Sequence, residues 1–326
     1  MKGKTVMSLA VAALSLAVAA LAQTKPAATV TTPEGATMQV SDDLAYKPGE
    51  LTPEQLTRSA RSLFTQDSMN VFRRFPREKT EEMVKFYTQA LALRPLNPIQ
   101  LTSTQQMLLT GVGSGQVKLS AGQQGDRKYD LAGGYKAGTG IRFLALTYPD
   151  ADAVTKAFAA AGRPAPEFRD QGDGTKAALV TDPADFQIEI VIRPGAKHNS
   201  DDGVGIGIGV SDLEKSRAFY RDFVGLDELP PEQDRLLGVT KYPYRHKETT
   251  VYLYKIDKTG DDLPADTGSS GIQYVVGDAA MVDAKGKARG VTVETPLNKL
   301  DGFGLITVWL NDPDGVTNYF AQVGAR

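Results

Sequence analysis

Side chains suited to chemistry are scarce in this chain of 326 residues. It has two histidines and no cysteine, which excludes disulfides, thiolate nucleophiles and metal sites that need cysteine. His198 stands in a polar stretch with Pro, Gly, Ser and Asp, and His246 ends an aromatic and basic run. We expect both to be solvated surface side chains, with a ligand or general-base role as the alternative. Chemistry would therefore come mainly from carboxylates and cationic side chains.

Glu189 is the carboxylate with the most informative surroundings. Gln187, Glu189 and Arg193 occupy odd-numbered positions of a segment whose even-numbered positions 188, 190 and 192 are isoleucines. This period of two predicts a strand with a buried apolar face and a polar face toward a cavity or solvent. A lone carboxylate on such a strand is first a hydrogen-bonded structural group, so a catalytic role for Glu189 is the second alternative.

A second strand pattern has glycine on one side. Residues 203–210 alternate glycine with valine or isoleucine, which is again the period of a strand. The glycine face either opens a cavity floor for a flat ligand or lets another segment pack closely. We favour packing, with Trp309 and Tyr319 as side chains large enough to fill the gap.

Landmarks of the chain recur about 130 residues apart. A Phe-Tyr pair at 86 returns at 219, and an Asp-Pro turn at 182 returns at 312. This spacing predicts a tandem duplication, in which each half contains a strand, a helix and further strands twice over. We place the halves at 67–195 and 203–326, joined by a linker over 196–202.

The first 22 residues have the layout of a secretory signal peptide. Two lysines precede an apolar run that ends in Ala20-Leu21-Ala22, a small-x-small cleavage signature. Residues 23–66 are expected to be a flexible tether with one short helix. A capping box formed by Thr52 and Gln55, with Pro53 between them, would start that helix, which we extend to about Thr65.

The later strand, helix and turn carry a resemblance. The strand at 204–210, the helix between Asp212 and Gly225, and the Asp-Pro-Asp-Gly turn at 312–315 before a final strand resemble the vicinal oxygen chelate superfamily. That superfamily includes glyoxalase I, extradiol dioxygenases and bleomycin-resistance proteins. The resemblance implies an α+β fold of four tandem βαβββ modules, which form two domains with curled mixed sheets around a cavity.

Metal-using members of this superfamily carry His and Glu ligands on the first and fourth strands of each module. In the second half the corresponding positions are Gly205, Tyr252, Gly271 and Tyr319. Glycine offers no donor atom and a neutral phenol is a poor one. The resemblance therefore implies that the second half has lost its metal ligands.

In the first half the corresponding positions are Phe72, Lys118, Phe143 and Glu189. Only Glu189 matches the ligand pattern, and a lysine stands where a carboxylate is expected. We expect the Lys118 ammonium to take the place of the cation and to pair with Glu189. The candidate cavity residues are Phe72, Lys118, Phe143, Gln187, Glu189, Gly205, Tyr252, Trp309 and Tyr319.

Three classes of function stay open. The favoured one is metal-free binding or sequestration of a small molecule, with no cofactor. The second is an enzyme of the glyoxalase type, a lyase, isomerase or dioxygenase, with an atypical site around Glu189 and a divalent metal. The third is a structural or interaction module whose cavities are filled by side chains, because fold alone does not fix function.

The net charge and the predicted signal peptide restrict the classes of partner that we expect. The net charge is −2, so nothing points to nucleic acid. The signal peptide predicts export to the periplasm or the medium, without stable membrane insertion after cleavage. A small-molecule ligand is the expected partner, and a homodimer is possible.

Overall fold

The computed structural model of the protein describes residues 28–31, 37–100, 106–123, 127–196, 203–257, 263–300 and 304–324. The predicted signal peptide, His198 and all but the first residue of the predicted linker lie outside these ranges. Within the described ranges, no helix combines the length and the apolar character that crossing a bilayer demands.

The described strands and helices follow the predicted modular order. Strands β1 to β20 are Thr29–Thr31, Thr37–Val40, Asn70–Phe75, Arg94–Gln100, Gln106–Val112, Gly115–Ala121, Thr139–Tyr148, Arg169–Asp170, Lys176–Thr181, Gln187–Ile192, Val204–Val210, Asp227–Glu228, Glu232–Asp234, Val239–His246, Thr249–Lys255, Ala265–Asp266, Ser270–Val275, Thr292–Leu300, Leu305–Asn311 and Thr317–Val323. Helices α1 to α5 are Pro53–Thr57, Thr80–Lys85, Ala151–Ala160, Leu213–Arg217 and Ala279–Ala288. Helices α2 and α4 continue as π-helical turns over Phe86–Ala90 and Ala218–Val224.

These elements form four βαβββ modules. The first contains β3, α2 and β4–β6, and the second contains β7, α3 and β8–β10. The third contains β11, α4 and β12–β15, and the fourth contains β17, α5 and β18–β20. The predicted α+β class with curled mixed sheets is confirmed.

The pairing of the modules crosses the boundary between the two predicted halves. Modules 2 and 3 share one sheet, the inner-module sheet, in the order β12-β14-β15-β11-β7-β10-β9-β8. Modules 1 and 4 share the other, the outer-module sheet, in which β17 pairs with β3. The glycines of β11 help to explain the join in the inner-module sheet, because Gly207 lies opposite Phe143 of β7 and leaves room for its ring.

A buried ion pair ties the two sheets together. Arg73 of β3 donates through Nε to Asp182 Oδ2 at 2.7 Å, and both side chains are buried. Asp182 lies in the turn between β9 and β10, and it also accepts from the Tyr87 hydroxyl at 3.1 Å. Both Arg73 and Arg74 are buried, since β3 lies between β17 and β6 inside the outer-module sheet.

The described part of the predicted tether packs on the fourth module. Strand β2 pairs with β18, and Lys285 of α5 donates to the Arg58 carbonyl at 2.9 Å. A flexible tether is thus wrong for residues 37–66, because backbone pairing and side-chain contacts fix this stretch. The capping box is confirmed, with Gln55 N donating to Thr52 Oγ1 at 3.2 Å. The helix ends at Thr57 rather than near Thr65.

We predict that Arg73→Met destabilises the protein by about 3–5 kcal/mol, because it leaves the Asp182 carboxylate buried without its cation. Urea unfolding at pH 7 measures the change. The matched control is Lys85→Met, which breaks the exposed Lys85–Glu81 pair and should leave the midpoint unchanged. Equal losses in the two variants would contradict a role of the Arg73–Asp182 pair in joining the sheets.

Candidate functional site

A cavity of about 670 Å³ opens on the inner-module sheet. Its lining comes from β7, β9, β10, β11, β13, β14 and β15, together with the loop between β8 and β9. The strands curl so far that side chains of β14 meet side chains of β10, although three strands separate them in the sheet. The second and third modules therefore build this site together.

The cavity floor holds a buried lysine between two carboxyl groups. Lys241 Nζ of β14 donates to Glu189 Oε2 of β10 at 2.6 Å, and it also contacts Asp234 Oδ2 of β13. The side chains of Lys241 and Glu189 are 6% and 3% exposed. Because a buried charge is costly without a partner, these three residues, which we call the floor triad, stabilise one another.

The Lys241 ammonium lies where the resemblance places a metal ion. Its Nζ is 5.1 Å from the centre of the Phe143 ring and 5.0 Å from the centre of the Tyr252 ring. Phe143, Tyr252 and Glu189 all stand at ligand positions of the metal-using relatives. Two carboxyl groups that already share an ammonium, beside two aromatic rings, do not fit a divalent metal. In the described part of the chain, no three His, Cys, Asp or Glu side chains come together as a metal site.

The predicted ion pair between Lys118 and Glu189 is wrong. Lys118 belongs to β6 of the outer-module sheet, with its Nζ 5.5 Å from the centre of the Phe72 ring. Glu189 belongs to β10 and pairs with Lys241 instead. The lysine that lies at the expected metal position is therefore Lys241. This residue does not correspond to any of the metal-ligand positions of the superfamily.

The glycine stripe is packed. A Cβ added to Gly207 would lie 2.1 Å from the Phe143 ring, and one added to Gly205 would lie 2.7 Å from Tyr252 Cε2. Close packing is therefore the correct reading of these glycines, but the rings that fill the gap belong to Phe143 and Tyr252. Gln187, the neighbour of Glu189 on the same face, accepts from the backbone N–H of Tyr135 at 2.8 Å.

The equivalent position in the outer-module sheet is filled with aromatic side chains. The Trp309 and Tyr319 rings are 4.3 Å apart, and the Phe72 ring is 5.5 Å from Tyr319. Phe72 and Trp309 are almost fully buried. Gly271 pairs with Phe72 across the join between β17 and β3. Four predicted cavity residues, Phe72, Lys118, Trp309 and Tyr319, thus assemble in this sheet, where they form a packed core.

Burial changes the protonation of the floor triad. Burial raises the pKa of Glu189 to about 8, with the neighbouring Asp234 adding to the rise and Lys241 opposing it. Burial would also raise the pKa of Asp234, but its hydrogen bond with Glu189 and the Lys241 charge hold that pKa below the ordinary value. Glu189 is therefore mostly protonated at neutral pH, and the charges of Asp234 and Lys241 balance.

A flap formed by β13 and the turn after it holds Asp234 in place. Leu237 N donates to Asp234 Oδ1 at 2.8 Å, and the Tyr135 hydroxyl donates to the Leu237 carbonyl at 2.6 Å. The backbone N–H groups of Arg235 and Leu236 both donate to Gln171 Oε1 at 3.1 Å. The loop between β8 and β9 therefore holds the flap against the floor triad through these hydrogen bonds.

Sequence reasoning missed Lys241 and Asp234 and misjudged His246. Lys241 and Arg245 are on the same face of β14, where they alternate with Tyr242 and Tyr244. This strand period is the signal from which Lys241 could have been predicted. His246 is buried, with Nε2 at 2.8 Å from the Gln66 carbonyl oxygen. A solvated surface position is thus wrong for His246, since the segment before β3 covers it.

We predict that Glu189 makes the protein less stable as pH rises. The native pKa of Glu189 lies near 8, above the ordinary 4.5, so the native state holds this proton more tightly than the unfolded state. The resulting stability is complete below pH 4.5 and is lost as pH rises through 8. Urea unfolding of the wild type and of Glu189→Gln at pH 5.5 and pH 9 measures it.

The Glu189→Gln variant cannot exchange this proton, so its free energy of unfolding should fall less between pH 5.5 and pH 9. The difference between the two proteins isolates Glu189 from other titrating groups. An identical pH dependence in both proteins, or a wild type that gains more stability than the variant over this range, would contradict the prediction.

Comparison with known proteins agrees with this architecture. The profile of the Glyoxalase/Bleomycin resistance protein/Dioxygenase superfamily matches residues 74–190. No curated protein sequence matches the chain.

Solved structures share the fold over most of the chain. Glyoxalase I from Zea mays is 18% identical, with 78% of this chain and 92% of that chain covered and a TM-score of 0.58. A dioxygenase-like protein from Bacillus subtilis is 14% identical, with 80% and 86% covered and a TM-score of 0.54. The profile match covers residues 74–190 alone, and the solved structures show that the same fold extends over most of the chain.

Proposed function

We propose that the protein binds a small polar molecule in the inner-module cavity, without a resident divalent metal. The observation that carries the proposal is the Lys241 ammonium on the cavity floor, paired with Glu189 and Asp234 where the metal-using relatives hold their ion. We further propose, from the signal-peptide pattern alone, that it does so as an exported protein.

A difference between the inner-module sheet and the outer-module sheet supports this proposal. The outer-module position is filled by the rings of Phe72, Trp309 and Tyr319. The inner-module position keeps about 670 Å³ of space, within the range of roughly 300–1,000 Å³ that is usual for small-molecule sites. A purely structural role would leave no reason for an open cavity with buried charges, so that role fits the outer-module position alone.

A second candidate function, an enzyme of the glyoxalase type, is favoured by one observation. Glu189 is a buried carboxyl group with a pKa near 8, and a group that titrates near neutral pH is suited to proton transfer. Its neighbours Lys241 and Asp234 fix its position. Glyoxalase I from Zea mays shares the fold, which makes a lyase or isomerase the class to test.

We predict that at least one of a set of small organic acids, amines and sugars stabilises the wild type, and that this effect is lost in Val191→Trp. Val191 lines the cavity and is half-buried, so an indole there fills the ligand space. The midpoint of thermal unfolding with and without each compound measures the effect. The control is Val323→Trp at an exposed strand end, which should respond like the wild type.

Stabilisation that survives in Val191→Trp, or no stabilisation by any compound, would contradict binding in this cavity. Elemental analysis of the purified protein tests the metal-free part of the proposal. We expect less than 0.1 equivalent of any transition metal or zinc, and a stoichiometric metal that Glu189→Gln releases would overturn this part.

The enzyme alternative makes a separate prediction. If Glu189 transfers protons, the wild type should exchange the C3 hydrogens of a bound 2-oxo acid, which lie next to its ketone, for deuterium in D2O, and Glu189→Gln should slow the exchange at least about 100-fold. Proton NMR measures the exchange. Binding without exchange in the wild type would reject the enzyme and leave the binding function in place.

A further inference from the structure

Some of the charged side chains that line the cavity form ion pairs or hydrogen bonds within the protein, and others do not. Lys241 is shared between Glu189 and Asp234 on the floor. Those two carboxyl groups receive the ammonium and offer little further attraction to a cationic ligand. The floor triad is therefore close to neutral as a unit.

Two further carboxylates of the lining are occupied by local donors. Glu248 Oε2 accepts from Ser114 N at 2.7 Å and from Ser114 Oγ at 2.8 Å. Asp173 Oδ1 accepts from Thr175 N at 2.9 Å and from Thr175 Oγ1 at 2.6 Å. Both carboxylates thus hold loops next to the cavity in place.

The cations near the cavity mouth are less engaged. Arg245 donates through Nε to Thr250 Oγ1 at 3.2 Å, and within the described ranges its two terminal nitrogens make no hydrogen bond or ion pair. Lys247 likewise makes none with any described residue, and it is exposed. Arg193 also lines the cavity, but it already has a partner and is not one of these less engaged cations.

One carboxylate stands against these cations. Glu232 of β13 lines the cavity without a hydrogen bond or ion pair to another described residue. Burial raises its pKa, with Asp234 adding to the rise and Lys241 and Arg245 opposing it. Glu248 and Asp173 keep their negative charges, because their hydrogen-bond donors are neutral. The cationic donors of the lining that stay available to a ligand are those of Arg245 and Lys247, with Glu232 as the carboxylate that opposes them.

The backbone conformation restricts the direction of the Lys247 side chain. It lies in the two-residue turn between β14 and β15, with φ at +50°. Lysine rarely adopts this left-handed region, so the tight turn fixes the direction in which its side chain leaves the backbone. Arg245 stands two residues earlier, near the end of β14.

We propose that the cavity recognises a small organic anion, bearing a carboxylate or phosphate group, through Arg245 and Lys247. This inference rests on the proposed binding function and names its ligand class. A guanidinium fits two oxygens of such a group at once, and an ammonium adds a point charge beside it. The apolar remainder of the ligand would lie against Ala145, Val191 and Tyr252, which also line the cavity.

The test measures binding of pyruvate, succinate and inorganic phosphate by isothermal titration calorimetry, with the neutral amides of both acids as matched probes. We expect at least one anion to bind at one per chain and to weaken as salt is added. Arg245→Gln and Lys247→Gln should each weaken binding about tenfold. Glu232→Gln should strengthen it, because it removes the opposing charge.

The control is Lys255→Gln, an exposed lysine of β15 outside the lining, which should bind like the wild type. Amides that bind as tightly as their acids, or losses equal to those of the control, would overturn the inference. If neutral molecules bind and Val191→Trp abolishes that binding while Arg245→Gln does not, the anion class is wrong and the binding function stands. If none of the anions binds at millimolar concentration, the anion class is also overturned.

Discussion

The site depends on one electrostatic constraint: an ammonium buried in the sheet must keep its carboxylates. Lys241 comes from β14, Glu189 from β10 and Asp234 from β13, so the three side chains join two modules and the flap. Removing Lys241 or Asp234 would leave the other one as an unbalanced charge in a poorly solvated place, and removing Glu189 would take away a hydrogen-bond acceptor of the ammonium. The curl of the inner-module sheet, which brings β14 to β10, and the position of the flap are therefore coupled to this triad.

The constraint also explains why the two equivalent positions of the fold differ. In the outer-module sheet, Phe72, Trp309 and Tyr319 fill the space with rings that need no charged partner. In the inner-module sheet, Phe143 and Tyr252 pack against the glycines of β11 and leave the polar end open. Aromatic packing closes one cavity and forms only the wall of the other.

Local patterns predicted much of the fold. The period of two around Glu189, the glycine alternation of β11 and the capping box at Thr52 each depend on neighbours in sequence, and the corresponding strand or helix start is present. The pairing of module 2 with module 3 was out of reach, because strand partners far apart in sequence are chosen by tertiary packing.

The same limit applies to the site. Glu189 could be singled out from its strand, and the need for a cation beside it could be argued from the family positions. Lys118 was the wrong cation because it stands in the other sheet, whereas Lys241 reaches Glu189 across three intervening strands. His246 was misjudged for a similar reason, since residues near Gln66 cover it. A contact between distant segments leaves no trace in the spacing of either one.

An ammonium does not reproduce what a metal ion does in such a cavity. A divalent ion carries two charges and accepts lone pairs from a ligand, whereas Lys241 carries one charge, offers only N–H donors and already serves Glu189 and Asp234. The floor can therefore contribute little to the attraction of an anion. The proposed recognition of an anion therefore rests on Arg245 near the end of β14 and on Lys247 in the turn that follows it. Under the proposed anion binding, a lysine in the place of a metal would thus change where in the cavity the ligand is held.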